Sequence, residues 1–275
     1  MLTTPAIQLL QAHQPGIALG VVVEPAFRAI YEGTPGLEIV DDVRRFRPDL
    51  TINLHGGTRS ALMTMKSQAR WRAGFAHYSL RWIYNLHIPR AQEILGVDRV
   101  VHTAEHVASA MFWLGVPPTE IPRAKLFTDA APAPARPYAV IHPFASAPEK
   151  QWPAARFAEV AAGLDLEPVF IGTPADDFAP FSQYRCVAGS LNETKRLLAG
   201  ASLFIGNDSG PAHMAAAFGL PVVVLFGPSN EVVWAPWRTE SRVLKNSDLT
   251  AIPVTAVREA VADLRSAAVR QAGRA

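Results

Sequence analysis

A chain of 275 residues, 49% hydrophobic and 18% charged, can bury one large or two medium cores, which excludes a chain disordered throughout. Its lone cysteine, Cys186, excludes an intramolecular disulfide framework and a cysteine-rich metal site; beside Val187 and Ala188 it reads as an inert buried thiol. The formal net charge of +2 hides an uneven distribution along the chain.

Thr3-Thr4-Pro5 predicts a helix start, an N-cap with proline at the first helical position, and Ala6 to His13 continues it. Met1 to Gly20 has no basic n-region, and Gln8, Gln11, His13 and Gln14 interrupt any apolar run, so no secretory signal is read here. No segment approaches the ~18 apolar residues needed to cross a bilayer. The expectation is a soluble, cytoplasmic protein. Ile17–Val23 predicts a strand, Pro25–Glu32 a short helix, Leu37–Val40 a strand and Leu50–Leu54 another, followed by a helix to about Ala69. Phe75–Pro89 reads as an irregular, aromatic-rich segment, an acceptor loop or lid, and His102–Leu114 as a helix. His102 and His106 form an i, i+4 pair, which fits an ordinary partly exposed helix face better than a metal site.

From Val43 to Gln92 nine basic residues (Arg44, Arg45, Arg47, Arg59, Lys66, Arg70, Arg72, Arg81, Arg90) face one acid, Asp49, with Trp71, Phe75, Tyr78, Trp82 and Tyr84 interleaved. Such a stretch suits a polyanion: a phosphorylated glycolipid, an anionic membrane surface or nucleic acid. An ordinary solvated basic face fits equally well.

The Pro/Ala run from Ala130 to Pro137 reads as an inter-domain linker. Beyond it, strands are predicted at Tyr138–Ile141, Glu167–Ile171, Arg185–Val187, Leu203–Ile205, Val222–Phe226 and Arg242–Leu244. Helices alternate with them at Pro153–Leu164, Pro174–Phe181, Leu191–Leu198, from Pro211 to Gly219, and Val254–Arg270. The alternation predicts an α/β protein of two Rossmann-like lobes with parallel sheets and a ligand cleft between them. The expected boundaries are 1–130, 131–253 and a C-terminal helix, 254–275.

Gly206-Asn207-Asp208-Ser209-Gly210 is a turn cluster between an apolar strand and a helix that opens on Pro211. Free amides and the helix dipole there favour a phosphate; Ser209 adds a hydroxyl, Asp208 a carboxylate, and His213 lies one turn in. Capping by Asp208 and Ser209 explains the same residues without a ligand. The run Asn207-Asp208-Ser209-Gly210-Pro211-Ala212-His213-Met214-Ala215-Ala216-Ala217, followed by Gly219-Leu220-Pro221-Val222-Val223-Val224-Leu225-Phe226-Gly227-Pro228-Ser229, resembles the nucleotide-sugar motif of glycosyltransferase family 9, the ADP-heptose:lipopolysaccharide heptosyltransferases. His142-Pro143-Phe144-Ala145-Ser146 through Lys150-Gln151-Trp152-Pro153 resembles the family's second donor segment, with Phe144 where glycine is usual.

The resemblance implies a GT-B fold and inverting transfer of heptose from ADP-heptose to an inner-core lipopolysaccharide acceptor, with no metal or other cofactor. It implies donor contacts from Ser146, Lys150, Glu193, Asp208, Ser209, Gly210 and His213, with Lys150 and Asp208 as catalytic residues. Lys150 would neutralise charge on the departing ADP. Ser190 and Glu193 also fit a capping box, and Trp152 reads as a packing residue. On the acceptor side it implies Thr4 and Arg59, the latter in His55-Gly56-Gly57-Thr58-Arg59-Ser60. A glycolipid acceptor adds an expectation of peripheral contact with the inner face of the cytoplasmic membrane and removes nucleic acid as a partner. Family members usually open with an apolar strand and a Gly-Asp turn that carries the catalytic base; this sequence opens at Met1-Leu2-Thr3-Thr4-Pro5, just after where that turn would fall. Two readings follow: a longer gene product that transfers heptose, or a nucleotide-sugar-binding relative without transferase activity.

Overall fold

A computed structural model describes residues 1–129 and 134–272, with side chains to 267. The chain divides into two compact units, Leu2–Pro122 and Arg123–Ala275. Of the Pro/Ala run expected as a linker, residues 130–133 lie outside the described residues, and the division falls at Pro122, upstream of it.

In the first unit, helix α1 (Thr4–His13) leads to strand β1 (Leu19–Val21) and, through a 3-10 turn at Pro25–Ile30, to β2 (Leu37–Ile39). Then follow α2 (Val43–Phe46), β3 (Leu50–Asn53), α3 (Thr58–Lys66), β4 (Trp71–Phe75), a 3-10 turn at Arg81–Ile83, β5 (Leu86–Ile88), α4 (Ala91–Leu95) and α5 (Thr103–Trp113). The strands form two separate parallel sheets, β1–β2 and β3–β4–β5. Thr3 precedes α1 without capping it; its hydroxyl bonds instead to Tyr31.

The segment expected to be irregular, Phe75–Pro89, includes β5 and is folded back onto its sheet. Tyr84 lies over Gly74 and Tyr78 over Gly56, so closely that a Cβ at either glycine would fall 2.7 or 2.5 Å from the ring. The Asn85 side chain accepts from Arg72 N at 2.7 Å and donates to Arg70 O at 2.8 Å, continuing the pairing past the strand. His102 and His106 do not share an exposed face. His102 is a buried N-cap whose Nδ1 accepts from Ala104 N at 3.0 Å, and the His106 ring stacks on Phe75 at 4.1 Å.

The second unit holds one six-stranded parallel sheet in the order β11-β10-β9-β6-β7-β8. Its elements are β6 (Tyr138–His142), α6 (Ala154–Ala162), β7 (Glu167–Gly172), β8 (Arg185–Ala188), α7 (Leu191–Gly200), β9 (Leu203–Asn207), α8 (Gly210–Phe218), β10 (Val222–Phe226), α9 (Glu231–Trp234), β11 (Ser241–Lys245) and α10 (Val254–Ala272). All five residues of β9 and of β10 are buried, as a parallel strand covered by helices on both faces requires. Small Ala212 and Ala215–Ala217 let α8 lie close to the sheet, and Gly219, at φ +79°, ends that helix in the left-handed region. The terminal helix α10 packs on α6, β10 and β11 and places Val257, Val261 and Leu264 in the core.

The helix expected over Pro174–Phe181 is absent; a 3-10 turn at Ala179–Phe181 stands there instead. Asp176 accepts from Thr173 N at 2.6 Å as at a helix start, but Asp177 takes Ala179 N at 2.9 Å and Pro180 has no N–H, so the helix does not propagate. Cys186 bonds to Phe181 O at 3.3 Å, and burial pushes its thiol pKa up.

Candidate functional site

Chain order in the large sheet runs outward from β6 through β7 to β8, then restarts on the other side of β6 with β9. The crevice at the carboxyl ends of β6 and β9 is therefore the topological switch point, where ligands of open α/β sheets bind. Both segments singled out in the sequence end there.

Asn207, the last residue of β9, ties them together. It is fully buried, its Nδ2 donates to Pro143 O at 2.8 Å, and its Oδ1 accepts from Trp152 N at 3.0 Å. Both ends of the loop after β6 thus hang from one amide. Trp152 anchors the far end: it is 1% exposed, its Nε1 donates to Ile252 O at 3.0 Å, and its ring meets Phe157 edge-on. A 3-10 turn at Pro148–Lys150 then raises Lys150 over the β9 loop, with Nζ 4.0 Å from Asp208 Oδ2. The carboxylate is the more enclosed partner, 12% exposed against 32% for the lysine.

Ser209 occupies the N-cap position of α8 without capping it. Its hydroxyl pairs instead with His142 Nδ1 at 3.0 Å, across the switch point. Burial of the imidazole lowers the His142 pKa to about 4, the nearby Asp176 carboxylate pulling weakly the other way, so the ring is neutral at pH 7. With Ser209 turned to His142, the first amides of α8 receive no cap from it, and the space beside Gly210 is open: a Cβ there would meet nothing within 4 Å. An uncapped helix start beside an ammonium group can hold an anion.

The remaining predicted residues fall as follows. Ser146 is exposed in the loop after β6. His213 is half-buried on α8, its ring 6.4 Å from that of Trp234. Glu193 completes a capping box on α7: its Oε2 accepts from Ser190 N at 2.7 Å and Ser190 Oγ at 2.9 Å, contacts that hold its carboxyl below the usual range. Phe144 turns into the core between Phe178 and Phe181, over Gly172, where a Cβ would lie 2.7 Å from its ring. The glycine that makes room therefore sits on β7. In the first unit, Arg59 begins α3 and pairs with Glu24 at 2.7 Å, both well exposed. Thr4 is 3% exposed, so the structure does not bring its side chain to the surface.

Sequence reasoning missed Asn207, the His142–Ser209 pair and Gly227. A Cβ on Gly227 would stand 2.8 Å from Glu149 O, so only glycine lets the loop after β10 approach the turn that carries Lys150. The available signal was a polar Asn207 ending an otherwise apolar strand. Among the described residues no group of three His, Cys, Asp or Glu could hold a metal ion.

A parallel α/β unit with a lysine and an uncapped helix start at its switch point is a Rossmann-like arrangement. The model of glycosyltransferase family 9 (heptosyltransferase) matches residues 38–259. The chain belongs to that family and is a glycosyltransferase. Lipopolysaccharide heptosyltransferase 3 of Escherichia coli is 25% identical over 86% of this chain and 82% of its own. A family 9 glycosyltransferase from Veillonella parvula has the same fold, with a TM-score of 0.81 over 96% of this chain and 92% of its own, at 22% identity. The E. coli heptosyltransferase WaaC, solved with ADP, superposes with a TM-score of 0.79 over 96% of this chain and 95% of its own, at 19% identity. The fold class is GT-B.

Proposed function

We propose that the chain transfers heptose from ADP-heptose to an inner-core lipopolysaccharide acceptor with inversion at the anomeric carbon. The observation that carries this is the pairing, at one switch point, of Lys150 with the open start of α8. The name of the E. coli relative and the ADP held by WaaC support the choice of donor and acceptor.

In this scheme the diphosphate lies across the amides at Gly210 and the Lys150 ammonium. The acceptor hydroxyl attacks the anomeric carbon from the face opposite the diphosphate and loses its proton to a base. The bond from that carbon to the diphosphate oxygen breaks, and the electron pair leaves with ADP. Lys150 and the helix start meet the negative charge as it grows, an electrostatic contribution available without reorganisation. Asp208 holds Lys150 in place, and His142 holds Ser209. Ser146 and His213 complete the donor contacts, Glu193 takes the ribose hydroxyls with the carboxylate oxygen that its capping box leaves over, and Arg59 meets an acid or phosphate of the acceptor. No metal takes part, so chelation of divalent ions leaves turnover unchanged. Because a glycolipid acceptor is embedded in a bilayer, the enzyme works as a peripheral protein at the cytoplasmic face of the membrane.

The test is incubation with ADP-heptose and heptose-deficient lipopolysaccharide, reading ADP release, the acceptor mass and the anomeric configuration of the new linkage. The expected result is one heptose gained per ADP released, with inverted configuration. ADP binding without transfer would overturn the transferase reading and leave a nucleotide-sugar-binding protein; retention would overturn the displacement scheme alone.

A further inference from the structure

The first unit carries a face, centred on α3, that the donor chemistry does not use. The inner side of α3 buries Ala61 and Thr64; its outer side exposes Leu62, Met65 and Lys66. Two elements packed against α3 widen this face. One is α2, with Arg44 and Arg45 exposed and Arg47 just beyond; the other is the Arg81–Ile83 turn, where Trp82 is 71% exposed. At the end of α3, Ser67 Oγ accepts from Thr51 Oγ1 at 2.9 Å, which sets Lys66 beside the start of β3. There Leu50 and Trp71 are register partners, both exposed, with the Arg70 guanidinium 5.1 Å above the indole.

Charge and apolar surface are thus interleaved. Among the described residues Arg44, Arg47, Lys66, Arg70 and Arg81 have no acidic partner, and Arg45 reaches Asp42 only at 3.7 Å while 90% exposed. Asp49 is the single acid between Val43 and Gln92. A basic face that meets water alone has no use for exposed Leu50, Leu62, Met65, Trp71 and Trp82 together. A nucleic acid would match the charge, but the aliphatic Leu62 and Met65 offer bases no stacking surface. Acyl chains and anionic headgroups match both halves: indoles settle at headgroup level, short apolar side chains enter below them, and the arginines meet phosphates.

We propose that the α3 face docks onto the surface of an anionic phospholipid bilayer. The inference concerns the peripheral contact named above and gives it residues. Lipid binding is read without sugar transfer, so the two readings can fail separately.

The experiment is co-sedimentation of the full chain with vesicles of phosphatidylcholine alone and of phosphatidylcholine mixed with phosphatidylglycerol. Binding is expected to the mixed vesicles and not to the neutral ones, falling as salt is raised. Arg44→Ser and Arg81→Ser should each lower the partition coefficient about five-fold. Leu62→Ser combined with Met65→Ser, or Trp82→Ala alone, should lower it at constant charge, whereas Arg136→Ser, exposed just before β6 in the second unit, should not. All these side chains are exposed, and unchanged thermal melts would show that the fold is kept. Equal sedimentation with neutral vesicles, apolar variants that bind as wild type, or tighter binding of a single-stranded oligonucleotide than of the mixed vesicles would each overturn the proposal.

Discussion

Asn207→Ala is the substitution that most directly tests how the donor loops are held. The native amide is fully buried and makes one bond as donor, to Pro143 O, and one as acceptor, from Trp152 N. Truncation leaves both backbone groups buried without a partner, and each orphan costs about 1–3 kcal/mol. The sum is roughly 3–4 kcal/mol, which for a unit the size of Arg123–Ala275 lowers Tm by about 6–15 °C. Urea denaturation should show the same loss as a lower midpoint at unchanged slope. A second readout follows from the geometry. Trp152 N closes the loop that carries Lys150, so calorimetric titration with ADP should weaken about ten-fold at temperatures where the variant is still folded. Asn207→Asp keeps an acceptor for Trp152 N but turns a carboxylate toward the Pro143 carbonyl, and should be no more stable than the alanine variant. A melt within about 1 °C of wild type for Asn207→Ala would refute the reasoning.

Further outcomes follow from the same site. Lys150→Ala should weaken ADP binding roughly 10- to 100-fold, the range of a lost charge-assisted bond, with partial recovery in Lys150→Arg; calorimetry at two salt concentrations reads both. Gly227→Ala forces a Cβ to within 2.8 Å of a backbone carbonyl and should cost about 1–3 kcal/mol in a thermal melt. His142, with a folded pKa of about 4 against ~6.5 unfolded, binds its proton more readily in the unfolded chain. Stability should therefore be fully present above about pH 6.5 and fall by as much as about 3 kcal/mol as pH drops to about 4; His142→Gln should flatten that slope in pH-dependent denaturation.

The large sheet was legible because its strands announce themselves: Val222–Phe226 is an unbroken apolar run, and Tyr138–Ile141 and Leu203–Ile205 are nearly so. The first unit was harder to read. Its strands span three to five residues, and β5 hides among aromatics, Tyr78 and Tyr84, whose partners Gly56 and Gly74 lie 22 and 10 residues upstream. Local pattern carries no information about such contacts. The helix expected at Pro174–Phe181 did not form because Asp177 takes the Ala179 amide and Pro180 has none to give. In the site, Lys150 and Ser209 stood out through motif resemblance. Their supports did not, because a residue that bonds only to the backbone of another segment leaves its mark at a distance of 55 or 64 positions.

The supports also show how two dissimilar sheets solve the same problem. At the end of a parallel strand the chain leaves its ladder, and the next few backbone groups need partners although they are still enclosed. Asn53 closes β3 as Asn207 closes β9. Its Oδ1 accepts from His55 N and Gly56 N, and its Nδ2 donates to Ser60 Oγ and Tyr84 Oη. An amide suits the position because it is a donor and an acceptor in one neutral group; aspartate would bring a charge into the core, and serine could not reach both ways. In each unit, therefore, a strand-end asparagine fixes the loop that leads to a candidate ligand residue, Arg59 at the start of α3 in one and Lys150 in the other. Loops held in this way do not wait for a ligand to order them, so less binding free energy is spent on ordering and more remains for the transition state.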